Sequence, residues 1–168
     1  MKTYARIGFV VLTAMVLERA LASELRLDGV AADFLLLITI SAGIVAGRDD
    51  GAVVGFFAGL ALDLMVQTPL GLGALVYCIT GYLIGMAQGS AVRISRFQPV
   101  IFAAAGSAFG ICLYVVLSLV VGRTGLINGH LVVVVVFVAV INALLIPLAN
   151  RMMRWAFDHP ENIRAAVR

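Results

Sequence analysis

The sequence predicts an all-α integral membrane protein, folded as a compact bundle of six transmembrane helices. Hydrophobic residues make up 62% of the 168-residue chain and charged residues only 12%, whereas a typical soluble domain has about 25% charged residues. Mean hydropathy is +1.09. The apolar residues are gathered into six runs, most of which approach the ~20 residues that a helix needs to cross a bilayer. A chain of this composition has too few polar groups to cover a soluble surface.

The six runs follow one another through short connections that leave no room for a soluble domain. They are Tyr4–Ala22, Val30–Gly47, Ala52–Val66, Leu70–Ala91, Val100–Val121 and Leu131–Met152. Helices suit them because each helix bonds its backbone polar groups internally, which lipid requires. A membrane β-barrel would alternate in polarity, and the last run does not. We therefore predict a transmembrane domain over residues 1–152 and a short, basic cytoplasmic tail over residues 153–168.

The first run resembles a cleavable signal peptide, because basic Lys2 and Arg6 precede an apolar stretch that ends in small residues. Glu18 and Arg19 lie close to the point where cleavage would occur, which argues against processing. We interpret this run as the first transmembrane helix. The third run is only about 22 Å long as a helix, so we expect one of its ends to lie in a dip lined by protein.

Glycines recur every fourth residue in the third and fourth runs. The first row is Gly51, Gly55 and Gly59, and the second is Gly73, Gly81, Gly85 and Gly89, with Tyr77 at the missing step. Small residues four apart let helix backbones approach closely in lipid, where no hydrophobic force drives helices together. The rows are expected to pack helices within one subunit or, as the alternative, to contact another chain. A methyl group at these positions is expected to be tolerated better than a leucine.

Asp63 continues the first glycine row and is the only acid well inside an apolar run. A charge at that depth is costly unless it is paired, solvated or protonated. One interpretation makes Asp63 a proton or substrate ligand. The other is that it accepts hydrogen bonds from the free N–H groups that open the next helix, around Leu70–Gly73. The structural role is favoured because the sequence offers no second intramembrane acid or base beside Asp63.

The sequence indicates no catalytic, cofactor-binding or metal site, so we predict that the protein is not an enzyme. Cys78 and Cys112 lack the spacing of a redox or zinc motif and fit reduced packing residues. His130 and His159 are predicted on opposite sides of the membrane. The chain also lacks a phosphate-binding glycine loop and a nucleophile elbow.

Basic residues predict the orientation of the helices in the membrane. With a cytoplasmic N-terminus and alternating helices, nine of the twelve basic residues fall inside and three outside. The inside set is Lys2, Arg6, Arg48, Arg93, Arg96, Arg151, Arg154, Arg164 and Arg168, and the outside set is Arg19, Arg26 and Arg123. Both termini are therefore expected in the cytoplasm. We attribute the net charge of +3 to topology and anionic lipids, not to nucleic acid, and expect Arg93, Arg96, Arg151 and Arg154 at the lipid interface.

Two segments resemble the MreD family of bacterial rod-shape proteins. The stretch GFFAGLALDLMVQTPLGLGAL resembles the family's glycine, aspartate and leucine–glycine signature, and INALLIPLANRMMRW resembles its closing stretch. The matching positions are Gly55, Phe56, Gly59, Leu60, Asp63, Leu64, Leu70 and Gly71 in the first segment, and Asn142, Leu144, Leu145, Pro147 and Leu148 in the second. The other runs match only in character.

The resemblance implies a non-enzymatic scaffold in the bacterial plasma membrane that supports peptidoglycan synthesis and cell shape. Its implied partners are an MreC-like protein, the glycosyltransferase RodA with its transpeptidase and, indirectly, the MreB filament; a homodimer is a further expectation. The residues expected to serve helix packing or partner contact are Gly51, Gly55, Phe56, Gly59, Leu60, Asp63, Gly71, Gly81, Gly85, Asn142 and Pro147.

The alternative function is that of a substrate-binding subunit of an energy-coupling-factor transporter for a vitamin or other small molecule. Those subunits are six-helix bundles of similar size, and MreD-like proteins resemble them in fold. They usually carry an alanine row in the first helix for docking to the coupling subunit. Here Ala14 is followed four residues later by Glu18, and Ala5 by Phe9, so the row is missing.

Overall fold

A computed structural model describes residues 2–24, 33–66, 70–90, 97–122 and 130–157. Within these ranges the chain forms six α-helices and no β-strand, which confirms the all-helical prediction. The helices are α1 Lys2–Glu24, α2 Phe34–Ala46, α3 Arg48–Met65, α4 Leu72–Ser90, α5 Gln98–Val120 and α6 His130–Phe157.

Three of the six helices are long and apolar enough to cross a membrane, over Leu72–Gly89, Gln98–Val120 and Leu131–Phe157. The apolar helix α2 has only 13 residues, or about 20 Å, against a hydrocarbon core of about 30 Å. Charged residues accumulate at the ends of α1 and at the start of α3. Length and composition alone therefore support three spans, and the other three stay a prediction.

The shortest helix, α2, lies at the centre of the fold and packs against each of the other five helices. All residues from Phe34 to Gly43 are buried. This explains why α2 is apolar on every side, since a helix that is surrounded by other helices has no polar face to keep. The most extensive packing between any two helices joins α3 to α4.

A single residue separates α2 from α3. Gly47 has φ 92°, a left-handed conformation that glycine adopts without steric cost. Its N–H donates to the Gly43 carbonyl at 3.2 Å, and its own carbonyl accepts from the Gly51 N–H at 2.9 Å. The residues 48–51, where the sequence suggests a connection, instead form the first turn of α3.

The last helix continues beyond Met152 to Phe157. Met153 and Ala156 are both buried. Residues 153–157 of the expected tail therefore belong to α6, with Met153 and Ala156 packed inside the fold and Arg154 and Trp155 exposed. The remainder of that tail lies outside the described residues.

Candidate functional site

The glycine rows form one contact between α3 and α4, here called the glycine seam: Gly51, Gly55 and Gly59 against Gly73, Tyr77 and Gly81. A Cβ atom added at Gly59 would collide with the Gly73 carbonyl, and one added at Gly55 with the Tyr77 carbonyl. A Cβ at Gly81 would collide with the Gly51 carbonyl. The backbones thus touch at each step, which is the packing within one chain that the spacing predicts.

At the end that holds Gly51 and Gly81, the seam extends onto α2 through Gly43 and onto the first residue of α3 through Gly85. A Cβ at Gly43 would lie 2.7 Å from the Gly81 carbonyl oxygen, and one at Gly85 would lie 2.5 Å from the Cα of Arg48. Gly89 does not take part, since nothing lies within 4 Å of its added Cβ. Even a methyl group is too large along the seam, because the obstacles there are mostly backbone atoms that cannot move aside. The expected order, in which leucine is worse than alanine, stays a prediction.

Asp63 closes the other end of the seam, beside Gly59 and Gly73, and is 3% exposed. Its Oδ2 accepts hydrogen bonds from the N–H groups of Gly71 at 2.8 Å and Ala74 at 3.3 Å, and its Oδ1 accepts from Gly73 at 2.9 Å. The predicted hydrogen bonds to the start of the next helix are therefore present. They satisfy backbone donors that have no partner within α4, and the negative charge lies at the positive end of that helix.

Gly71 has a local reason to be glycine. Its φ is 101°, and this left-handed turn directs the chain into α4 while its N–H points at Asp63. Gly73 has a different reason, because a Cβ there would lie 2.6 Å from Oδ1 of Asp63. Aspartate and glycines therefore act as one unit that fixes how α3 joins α4.

A second polar cluster, at the start of α2, was missed by the sequence analysis. Oδ1 of Asp33 accepts from the Leu36 N–H at 2.8 Å, and the Tyr77 hydroxyl donates to its Oδ2 at 2.5 Å. Oε2 of Glu18 accepts from the Leu35 N–H at 3.2 Å. Asp33 lies inside the run Val30–Gly47 but directly before its uninterrupted apolar part, and an aspartate in that position is a helix N-cap signal. Nothing in the sequence links Glu18 to that helix.

A cavity of about 220 Å³ lies beside this cluster, between α2, α3, α4 and α5. Asp33, Tyr77 and Tyr114 border the cavity together with Leu36, Leu62, Val66, Gly110 and Ile111, and its surface is almost entirely apolar. These residues belong to the helix ends that the charge pattern predicts to face outside. A mostly apolar lining with a few polar residues at its border is typical of small-molecule sites, which are usually larger, about 300–1,000 Å³.

Two buried asparagines hold α6 against its neighbours. The Nδ2 of Asn142 donates to the Ser107 hydroxyl at 2.8 Å, and the Ser41 hydroxyl donates to Oδ1 of Asn150 at 2.7 Å. Asn142 was predicted as a packing residue, whereas Asn150 was not recognised. The other predicted residue of α6, Pro147, is exposed and lies inside the helix.

The remaining predicted residues lie on outer surfaces. Phe56 is 45% exposed and stacks edge to face with Phe57, their ring centroids 5.6 Å apart, while Leu60 is half-buried. Arg151 and Arg154 are exposed on α6. Arg93 and Arg96 lie outside the described residues.

Comparison with protein families decides the identity. A family model described as rod shape-determining protein MreD matches residues 2–167. The chain belongs to the MreD family. No significant match was found among curated proteins or among solved structures. MreD membership makes this a rod shape-determining membrane protein of a family that is structural and not known for enzymes.

Proposed function

We propose that this MreD-family protein is a non-enzymatic scaffold of the cell-elongation complex, which binds an MreC-like protein and thereby supports peptidoglycan synthesis. The observation that carries the proposal is the family match over residues 2–167. The glycine seam and its Asp63 closure supply a rigid element, as a scaffold requires. RodA, its transpeptidase and, indirectly, MreB are the further proposed partners.

The proposed location is the bacterial plasma membrane, with six spans, a 1–152 transmembrane domain and both termini in the cytoplasm. Nine of twelve basic residues fall on the cytoplasmic side in this arrangement. Helix α2 is too short to cross the hydrocarbon core by its own length. We propose that the helices around it complete its span of the membrane.

The proposed partner surface is the outer face of α3. Its glycine face is covered by α4 and α2, whereas Phe56, Phe57 and Leu64 are 45%, 58% and 69% exposed. Aromatic residues on one side of a helix suit contact with a single transmembrane helix, because dispersion and ring packing replace the absent hydrophobic force. The half-buried Leu60 borders this face. Self-association through the same face would produce the homodimer.

Depletion of the protein in a rod-shaped host, followed by complementation, tests the proposal. Loss of rod shape and co-purification of the wild-type chain with an MreC-like protein are expected. Phe56→Ala should weaken that co-purification, and Phe109→Ala is the matched control because Phe109 is 41% exposed on α5. Cells that stay rod-shaped after depletion would contradict the scaffold function, and equal effects of the two variants would contradict the proposed surface.

The second candidate function is small-molecule binding, as in the substrate-binding subunits of energy-coupling-factor transporters. The cavity beside Asp33, Tyr77 and Tyr114 is the observation that favours it. Mass spectrometry of small molecules extracted from the purified protein separates the two functions. A stoichiometric vitamin in the extract, together with loss of vitamin uptake on depletion, would replace the scaffold proposal.

A further inference from the structure

Two cavities lie end to end along the contact between α1 and α6. One, of about 330 Å³, includes Phe9, Arg151 and Trp155 in its wall, and the other, of about 110 Å³, reaches Leu17 and Phe34. Three residues line both cavities, namely Val10, Leu148 and Met152. The two therefore form one continuous depression, here called the α1–α6 groove.

The groove has an apolar wall that is open to the surroundings of the protein. Val10 at its base is 1% exposed, whereas Phe9 and Leu148 at its rims are 64% and 58% exposed. The α1 residues that line the groove run from Phe9 to Leu17, a rise of about 12 Å at 1.5 Å per residue. The groove therefore covers most of one leaflet, which is half of a hydrocarbon core about 30 Å thick.

Arginines surround the end of the groove that the charge pattern predicts to face the cytoplasm. The Arg6 guanidinium lies over the Trp155 ring, 5.1 Å from its centroid, and its Nη1 donates to the Trp155 carbonyl at 3.4 Å. Arg151 lines the cavity itself and is exposed. Two cations from different helices thus flank one tryptophan, at the depth where aromatic and basic residues meet lipid headgroups.

We infer that the α1–α6 groove binds one anionic phospholipid. An acyl chain lies along Val10 and Leu148, and the phosphate lies at Arg151, whose planar guanidinium can donate two parallel hydrogen bonds to it. Arg6 adds positive charge while it stays stacked on Trp155. Arg154, only three residues from Arg151, does not line the groove. The inference depends on placement in a membrane and not on the scaffold function.

Trp155 makes the groove directly observable, because it is the single tryptophan of the chain. The full-length protein is reconstituted in phosphatidylcholine vesicles that contain a small fraction of brominated phosphatidylglycerol or, in parallel, brominated phosphatidylcholine. Bromine on an acyl chain quenches tryptophan fluorescence only at short range. We expect the anionic lipid to quench Trp155 at lower mole fractions than the neutral lipid.

Arg151→Gln should reduce this preference about fivefold, the contribution of one basic residue near an anionic lipid surface. Arg154→Gln is the matched control, with the same charge change on the same helix, and should retain most of the preference. Equal quenching of the wild-type protein by the two lipids would overturn the inference, even if a variant fails to fold. So would an equal loss in both variants, which would indicate general surface charge. Absence of quenching by either lipid would also overturn the inference, because no acyl chain would then lie beside Trp155.

Discussion

Replacing Asp63 tests whether the closure of α3 onto α4 depends on a charge or only on an acceptor. In Asp63→Asn one carbonyl oxygen remains. If this oxygen takes the place of Oδ2, it still accepts hydrogen bonds from Gly71 and Ala74. The amide nitrogen then takes the place of Oδ1, and it cannot accept from the buried Gly73 N–H because both groups are donors. Losing the charge-assisted part and stranding one donor together cost about 2–4 kcal/mol. Asp63→Leu leaves all three N–H donors without an acceptor. Each buried donor left in this way costs about 1–3 kcal/mol, so we expect a larger loss of stability than in Asp63→Asn.

The measurement is reversible unfolding in mild detergent with increasing dodecyl sulfate, followed by circular dichroism. Amide hydrogen exchange at Gly73 and Ala74 adds a local readout, since these N–H groups should exchange faster in both variants. Asp50→Asn is the matched control, because Asp50 is exposed in the first turn of the same helix. That change removes only an exposed charge from a helix N-terminus and should cost less than about 1 kcal/mol.

The reasoning would be refuted by an Asp63→Asn protein that unfolds with the wild-type free energy and protects both amides normally. If that stable protein also failed to restore rod shape, Asp63 would have a role as an ionisable group. The same result would favour the proton or substrate interpretation that the sequence left open. A variant that loses stability and shape in parallel would support the structural role.

Three further predictions concern packing, polar contacts and topology. Gly59→Ala should destabilise the protein strongly, because its Cβ would enter the Gly73 carbonyl, whereas Gly89→Ala should leave the detergent melting curve unchanged; equal curves for the two variants would contradict the seam. Asn150→Leu should lower the free energy of unfolding by about 1–3 kcal/mol, because the buried Ser41 hydroxyl loses its acceptor. Asn142→Leu should lower it less, since Oδ1 of Asn142 has no partner among the described residues. The reverse order in unfolding titrations would disprove this. A reporter that is active only in the cytoplasm should be active when fused after Arg168, and one that is active only outside should be active when inserted at residue 68. Two inactive reporters would reject the orientation predicted from the basic residues.

The seam shows how far a sequence pattern extends and where it stops. Glycines at every fourth position predicted close helix contact, and the structure contains it. The pattern did not say which helix would meet each row, nor that the clearance would be too small for a methyl group. Those facts depend on the distance between the α3 and α4 backbones, which the spacing along one helix does not specify.

The polar contacts divide in the same way. Asp63 lies within eleven residues of all three of its donors, so a short turn after an apolar helix was enough to predict the pairing. Ser41 and Asn150 are 109 positions apart, and Glu18 is 17 positions from Leu35, whose N–H donates to it. No local spacing relates such residues, and these contacts appeared only with the fold.

By itself the sequence determined the membrane class, the six helices and the acid that joins α3 to α4, because composition, run length and short-range hydrogen bonding are properties of neighbouring residues. Tertiary structure alone decided that α2 is central, that Asp33 and Tyr77 meet beside a cavity, and that α1 and α6 enclose a groove. The physical reason is that lipid and protein interior are both apolar. A leucine or valine suits either one, so the pattern along a membrane helix does not reveal which of its faces is covered by protein.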